Sequence, residues 1–175
     1  LRALGGFRGA SVTIPHKVSA IPFLDEVEPT ARHIGAINTI VANKGKLSGY
    51  NTDATGALRA LRGGVGPLAG KRVMILGSGG AARAIAFAIA GESEVAGLTL
   101  LGVDGNERST LAKDLRSKTP LTVAEAHLDE ASLGRTLPDA QVLIHCTPIG
   151  MSPKTEASCV PTALLHKGLA VMDIV

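Results

Sequence analysis

The fold is decided by one stretch of the chain, Arg72-Val73-Met74-Ile75-Leu76-Gly77-Ser78-Gly79-Gly80-Ala81-Ala82. The apolar run over 72–76 predicts a buried strand, and the alanines after the glycines predict a helix from Ala81 to about Ala90. Gly77, Gly79 and Ala82 match the small-residue positions of Gly-x-Gly-x-x-Gly/Ala, between a strand and a helix as that motif requires. The stretch therefore predicts a turn whose free backbone amides meet a pyrophosphate.

The chain after this turn alternates short apolar strands with helices. Strands are predicted at 98–101, 121–124, 141–144 and 169–173, with helices at 107–115 and 161–165. This alternation predicts an α/β fold, with a Rossmann-type doubly wound parallel sheet that helices cover on both faces. A tight turn without a ligand is a second interpretation of the glycines. Flavin and adenosyl-methionine sites also use related turns, so the glycines alone do not fix the class of cofactor.

Ahead of the glycine turn, two short stretches place a lysine and an aspartate among hydroxyl and amide side chains. They are Ser11-Val12-Thr13-Ile14-Pro15-His16-Lys17 and Asn51-Thr52-Asp53, and a similar pair, Asn38-Thr39, begins the strand-like segment 39–42. Pro15 and His16 predict the opening of a helix through Ile21, and the first turn of a helix disfavours positive charge. The local structure therefore gives no reason for a lysine at position 17. We expect the charged, hydroxyl and amide side chains to form a polyol site that serves the nucleotide-binding part of the chain.

Both charged residues also have an ordinary structural interpretation. Lys17 can extend to water from a surface helix, and Thr52-Asp53 can form the N-cap of a helix that contains Leu58 and Leu61. Neither interpretation explains why so many hydrogen-bonding groups gather at the same turn. We predict that Lys17 and Asp53 meet across a gap wide enough for a ring-shaped ligand, opposite the glycine turn.

The composition excludes several classes of protein. With 175 residues, 45% of them hydrophobic, the chain can bury a core in one domain or two small ones. The net charge of +3 comes from mixed acidic and basic residues, and one Tyr and no Trp leave little for base stacking, so no nucleic-acid partner is expected. No apolar run is long enough for a membrane span. Cys146 and Cys159 lack metal-site spacing and suit a reducing cytoplasm.

The glycine-rich segment 62–70 separates two differently patterned halves of the chain. We expect part of a smaller α/β substrate-binding domain at 1–55 and a connecting helix and hinge at 56–70. A dinucleotide-binding domain is expected at 71–175. Both ends are expected to be truncated, with flanking segments missing or fused elsewhere.

Five motifs, in order, resemble the shikimate dehydrogenase family. The family's lysine motif, Asn/Ser-x-Thr-x-Pro-x-Lys, is matched by Ser11, Thr13, Pro15 and Lys17. Its two asparagine motifs are matched by Gly35-Ala36-Ile37-Asn38-Thr39 and Gly49-Tyr50-Asn51-Thr52-Asp53. The other two are its glycine loop, at Gly77-Ser78-Gly79-Gly80-Ala81-Ala82, and its Thr-Pro-x-Gly-Met loop, at Thr147-Pro148-Ile149-Gly150-Met151. Together they cover nearly the whole chain and are specific.

The resemblance implies a shikimate-pathway oxidoreductase of aromatic amino acid biosynthesis, which reduces 3-dehydroshikimate to shikimate with NADP or NAD. It implies that Lys17 and Asp53 are the catalytic pair. A lysine within hydrogen-bond reach can stabilise and protonate the ketone oxygen as hydride arrives. The residues implied to bind the cyclic polyol acid are Ser11, Thr13, Asn38 and Thr52. Those implied to bind the cofactor are Gly77, Ser78, Gly79, Gly80, Ala81, Ala82, Asp104, Thr147, Pro148, Gly150 and Met151.

Three features depart from the family. Many members have Asn-Arg-Thr after the second strand of the nucleotide domain, where the arginine pairs with the 2′-phosphate of NADP; here no arginine comes before Arg108. Asp104 is either a turn residue or an acceptor for the ribose 2′-hydroxyl of NAD. His145 replaces an Asn and is assigned a structural role, as are His16 and His33. The family's N-terminal Ser-x-Ser segment and late Gln-Gly region lie outside these 175 residues.

Other functions fit the same residues. Quinate dehydrogenase is favoured by Ser11 in place of Asn and by the altered cofactor loop. A truncated, non-catalytic binding domain of the same fold is favoured by the expected truncation. A dehydrogenase that acts on a folate cofactor has a similar lysine, but the Asn-Thr-Asp motif argues against it.

Overall fold

The computed structural model describes residues 5–92 and 94–174 of the chain, so the first four residues of the expected N-terminal domain lie outside the described part. The first elements are β1 (Gly9–Ser11), α1 (His16–Ser19), β2 (Glu26–Val27), α2 (Pro29–Ile34), β3 (Thr39–Asn43), β4 (Lys46–Tyr50) and α3 (Asp53–Val65). The chain continues with β5 (Arg72–Leu76), α4 (Gly80–Ala90), β6 (Gly97–Gly102), α5 (Gly105–Lys118), β7 (Val123–His127), α6 (Glu130–Thr136), β8 (Val142–His145) and β9 (Ala170–Asp173).

The first four strands form a small mixed sheet in the order β1-β3-β4-β2. β3 runs antiparallel to β1 and β4, whereas β2 runs parallel to β4. A two-residue turn at Lys44 and Gly45 joins β3 and β4 into a hairpin. Ala31, Ile37, Ile40 and Leu47 form a small buried core against this sheet. This core fixes the strand ends from which the polar residues project.

The other five strands form a parallel sheet in the order β7-β6-β5-β8-β9. Alternate residues of the central strand β5 belong to different cores. Val73 and Ile75 lie in the core that includes residues of α3, α4 and α5, whereas Met74 and Leu76 lie in the core that includes Leu133 of α6. The predicted parallel sheet, buried on both faces by helices, is therefore confirmed.

The order of the strands creates a crevice beside β5. The chain passes from β5 through α4 to β6 on one side, and later returns to β8 on the other side of β5. Connections that leave a strand in opposite directions open a crevice at the carboxyl ends of the strands, where open α/β sheets bind ligands. The glycine turn lies at this point of the sheet.

Arg83 of α4 links the two sheets. Its guanidinium forms an ion pair with Asp114 of α5, and its Nε donates to the carbonyl of Ile34, at the end of α2, at 2.5 Å. Nζ of Lys118 donates to the neighbouring carbonyl of His33 at 3.2 Å. Burial lowers the pKa of the Arg83 guanidinium, which nevertheless stays charged in proteins. Two cations thus meet the carbonyl end of α2, where positive charge is favourable.

Most predicted elements lie where they were expected, with several local differences. The strand expected at 121–124 is β7, which begins at Val123 because that residue pairs with Leu98 of β6. The helix expected through Ile21 ends at Ser19 and a 3-10 turn follows, because Pro22 has no amide hydrogen for an α-helical bond. The segment 161–165 forms only a 3-10 turn, and α6 was not predicted. No helix within the described ranges is both long and apolar enough to cross a bilayer.

Replacing Arg83 by Ala leaves the Asp114 carboxylate and the Ile34 carbonyl without their shared donor. Since these groups are partly buried, we expect the free energy of unfolding to fall by about 1–3 kcal/mol, measured by urea denaturation. The control is Lys113→Ala, at an exposed position beside Asp114, which should change this free energy by less than about 0.5 kcal/mol. Equal stability of the two variants would show that Arg83 does not link the sheets.

Candidate active site

Three strand ends of the small sheet meet at one edge. Thr39, the first residue of β3, pairs with Tyr50 at the end of β4 and with Ser11 at the end of β1. This register places Asn38, which precedes β3, beside the residues that follow β4. The polar stretches that the sequence singled out therefore converge because of strand pairing.

Lys17 and Asp53 form an ion pair at this edge. Nζ of Lys17 donates to Oδ2 of Asp53 at 2.6 Å. The two side chains are 17% and 27% exposed, so water screens the pair only in part. A charge-assisted bond of this length is among the stronger hydrogen bonds in proteins. The expected gap between the two groups is not found, because they are in direct contact.

Asn38 holds the other carboxylate oxygen of Asp53. Its Nδ2 donates to Oδ1 of Asp53 and to Oγ1 of Thr52, both at 2.8 Å. Its Oδ1 accepts from the Thr52 amide at 3.1 Å and from the Thr39 hydroxyl at 2.9 Å. The Asp53 carboxylate is thus held from two sides, by an ammonium and by an amide whose own orientation is fixed.

The helix expected after Thr52-Asp53 is confirmed as α3, but neither side chain caps it. Asp53 is the first residue of α3, and its carboxylate bonds Lys17 and Asn38. Thr52 occupies the N-cap position but its side chain makes no bond to the helix. Asn51 does this work instead: its Oδ1 accepts from the Ala54 amide at 3.3 Å and its Nδ2 donates to the Ala36 carbonyl at 3.0 Å. No separate role was predicted for Asn51, although an Asn just before a helix is a capping signal.

The aliphatic stem of Lys17 lies against the start of α4. A β-carbon built on Gly80 would come 2.6 Å from Cβ of Lys17 and 3.2 Å from its Cδ. A side chain at position 80 would therefore push α1 away from α4. Lys17 touches the glycine turn while its ammonium binds Asp53, so the polar edge of the small sheet and the glycine turn form one site.

The turn between β5 and α4 has the geometry of an anion-binding loop. Gly77 has a φ of +109°, and a β-carbon on it would come 2.9 Å from the carbonyl oxygen of Cys146, in the segment after β8. Gly79 is the N-cap of α4 and bears no capping side chain, so the first amides of the helix can receive an anion. Of the other predicted residues here, Ser78 precedes the N-cap, and Ala81 and Ala82 lie in the first turn of α4, with Ala82 fully buried.

A polar network holds the loop after β8. Nε2 of His145 lies 2.5 Å from Oγ1 of Thr147, which also accepts from the Ile149 amide at 3.2 Å. Nδ1 of His145 lies 3.2 Å from Oδ1 of Asp173 on β9. His145 therefore connects two strands and the loop, in agreement with its predicted structural role. The other predicted residues of this loop, Pro148, Gly150 and Met151, follow Thr147 at the same end of the sheet.

Asp104, Ser11 and Thr13 lie at the rim of the site. Asp104 follows β6 and is the N-cap of α5, where its Oδ1 accepts from the Glu107 amide at 2.9 Å. Asp104 therefore caps α5 and is not only a turn residue. The side chains of Ser11 and Thr13 are exposed, beside the polar edge of the small sheet.

Both cysteines have free thiols. Burial, helped by the charge of Asp173 and opposed by that of Lys17, raises the pKa of Cys146 to about 12. Burial also raises the pKa of Cys159. Both thiols are therefore protonated at neutral pH and are poor nucleophiles. Across the described ranges, His, Cys, Asp and Glu side chains form no group of three that could hold a metal ion.

Comparisons with known proteins agree with this geometry. Residues 1–40 match the family model of the shikimate dehydrogenase substrate binding domain. A shikimate dehydrogenase (NADP(+)) from Symbiobacterium thermophilum is 43% identical over 159 residues, which are 90% of this chain and 53% of the relative. A shikimate 5-dehydrogenase from Listeria monocytogenes, solved with shikimate and NAD, has a TM-score of 0.82 at 30% identity, covering 99% of this chain and 61% of that one. A quinate dehydrogenase from Corynebacterium glutamicum, solved with NAD, has a TM-score of 0.82 at 28% identity, covering 97% and 60%.

The chain spans between 53% and 61% of the length of the curated relatives that it matches. The matches nevertheless include both sheets, because the solved neighbours cover nearly all of this chain. Sequence, motifs and fold agree, and the chain belongs to the shikimate dehydrogenase family.

Proposed function

We propose that the protein is a nicotinamide-dependent oxidoreductase that reduces 3-dehydroshikimate to shikimate, in the shikimate pathway. The observation that carries the proposal is the position of Lys17, whose ammonium binds Asp53 while its stem packs on Gly80 of the glycine turn. A proton donor thus shares one site with a dinucleotide-binding turn, as the reduction of a ketone by a nicotinamide requires. The names of the relatives support the choice of substrate.

Lys17 supplies the proton in this mechanism. As negative charge develops on the ketone oxygen, the ammonium donates a hydrogen bond to it and then transfers a proton. The hydride that reaches the ketone carbon is the chemistry that a bound NADPH or NADH supplies. In the reverse direction, the neutral amine of Lys17 accepts the proton of the substrate hydroxyl.

Asp53 and Asn38 hold the lysine in place for this transfer. Because Asn38 binds one carboxylate oxygen, the other oxygen faces Nζ of Lys17 in a single orientation. We assign the hydroxyls and carboxylate of the substrate to the side chains around this pair, which are Ser11, Thr13, Asn38 and Thr52. Their short hydroxyl and amide groups match the hydrogen-bonding needs of a cyclic polyol acid.

The carboxyl edge of the large sheet fits a dinucleotide. The cradle at Gly77 and the uncapped start of α4 would hold the pyrophosphate. A pocket of about 540 Å³ opens at the same edge, between Val103, Leu128 and Ile149, and has room for an adenosine. The residues that we assign to the cofactor are Gly77, Ser78, Gly79, Gly80, Ala81, Ala82, Asp104, Thr147, Pro148, Gly150 and Met151.

We further propose a division of the chain into a substrate-binding part at 1–55, a connecting helix and hinge at 56–70, and a dinucleotide-binding domain at 71–175. α3 supplies the connecting helix, and it packs against α4. The two free, protonated thiols are consistent with work in the reducing cytoplasm.

A second candidate is quinate oxidation. The neighbour from Corynebacterium glutamicum is a quinate dehydrogenase whose fold matches as well as that of the shikimate enzyme. The test is to mix the protein with shikimate or quinate and with each nicotinamide cofactor, and to follow the absorbance of the reduced nicotinamide. We expect shikimate to reduce the oxidised nicotinamide. Reduction of the nicotinamide by quinate alone would favour the second candidate. Cofactor binding without any reduction of the nicotinamide would favour a non-catalytic binding domain.

Removing Lys17 and Asp53 singly and together tests whether they act as a unit. We expect Lys17→Ala to lower kcat by about 10²–10⁴-fold with little change in KM, since it removes the proton donor. The double variant Lys17→Ala with Asp53→Ala should cost about as much as Lys17→Ala alone, because Asp53 acts through the lysine. Lys113→Ala, at an exposed position, is the control. If the loss of kcat in the double variant equals the product of the losses in the two single variants, the two residues do not act as a unit.

Substitutions at two neighbouring glycines distinguish an effect on Lys17 from an effect on the cofactor. Gly80→Ala collides with the stem of Lys17 but keeps the backbone amide at position 80 that would meet the pyrophosphate. We therefore expect kcat to fall by about tenfold to a hundredfold, while the Kd for the cofactor changes by less than about threefold. A β-carbon on Gly79 meets no protein atom within 4 Å, so Gly79→Ala should act on the bound pyrophosphate and raise the Kd. Calorimetric titration and steady-state kinetics measure both effects. The same Kd and kcat in both variants would contradict this assignment.

A further inference from the structure

The adenosine ribose of a dinucleotide bound to this fold lies at the end of β6. Gly102, the last residue of β6, lies against the glycine turn, because a β-carbon on it would come 3.0 Å from Oγ of Ser78. Asp104 and Glu107 follow at the start of α5, and both are exposed. The 2′ position of an adenosine that crosses the glycine turn therefore meets a rim with two carboxylates.

The carboxylate of Asp104 is held in place by its capping role. Its Oδ1 accepts from the Glu107 amide at 2.9 Å, at the N-terminus of a 14-residue helix. A carboxylate has about four acceptor sites, so Asp104 can also accept from a ribose 2′-hydroxyl. Glu107 adds a second negative charge next to the glycine turn, with its Oε2 3.4 Å from Oγ of Ser78.

Arg108, the first arginine after β6, is turned toward the sheet. Its Nε donates to Oε2 of Glu125 at 3.2 Å, and its Nη1 donates to the carbonyl of Gly102 at 2.7 Å. The side chain is only 16% exposed. To reach a 2′-phosphate, Arg108 would have to leave Glu125, a partly buried carboxylate that would lose one of its cations.

We infer that the protein selects NAD over NADP, although its curated relatives are named for NADP(+). The ribose 2′-hydroxyl of NAD donates to Asp104, whereas the 2′-phosphate of NADP meets Asp104 and Glu107 and is repelled. This inference rests on the proposed function, since it concerns the cofactor side of the same site. It concerns selectivity, and the glycine turn accepts the pyrophosphate of either cofactor.

The Kd values of NAD and NADP, measured by calorimetric titration without substrate, test the inference. We expect NAD to bind at least about tenfold more tightly. The difference should narrow at high salt, because salt screens the repulsion of the exposed carboxylates. Asp104→Asn keeps a capping side chain and removes the charge. This variant should lower the ratio of the Kd for NADP to the Kd for NAD by about fivefold or more. Asp139→Asn, which removes an exposed carboxylate near the amino end of β5, is the control and should leave the ratio unchanged.

Tighter binding of NADP by the unaltered protein would overturn the inference and leave the proposed function intact. An unchanged ratio in Asp104→Asn would also overturn it, because the selectivity would then not come from this carboxylate. If neither NAD nor NADP binds, the proposed function fails and the inference fails with it.

Discussion

The ion pair between Lys17 and Asp53 is the contact on which the arrangement of the site depends. Each group is partly buried, so the loss of either leaves the other as an uncompensated charge. Two consecutive residues just before β3 anchor both sides of the pair. The Ile37 amide donates to the Lys17 carbonyl at 2.8 Å, and the Asn38 side chain binds the Asp53 carboxylate. The strand register therefore determines where the ammonium and the carboxylate meet.

The absence of side chains at two glycines lets this pair lie against the glycine turn. The turn after β5 can approach the segment after β8 only because Gly77 has no side chain and adopts a positive φ. Gly80 plays the equivalent role toward α1, whose lysine stem lies where a β-carbon would be. The two sheets thus approach each other closely at these glycines. Arg83 of α4 reinforces this approach, because it donates to the carbonyl of Ile34 at the end of α2.

The large sheet could be predicted better than the small one. A parallel strand buried on both faces is a short apolar run, such as 72–76, and the glycine turn marks its end. β1 and β2 have three and two residues, too few to show a period, and α6 has seven. In the candidate site, the convergence of Lys17, Asn38 and Asp53 could be predicted because polar side chains cluster in short motifs, while their roles stay predictions. The contacts of Arg83 and Gly80 could not, since they depend on how α4 lies against α1 and α2.

A crystal structure of the protein with shikimate and NAD would show directly whether the ammonium of Lys17 reaches the substrate. We expect a substrate hydroxyl oxygen about 2.6–3.2 Å from Nζ of Lys17, with Asp53 still bound to the lysine and the nicotinamide on the opposite side of the substrate ring. Shikimate bound away from Lys17, or Lys17 and Asp53 on separate surfaces, would contradict this expectation.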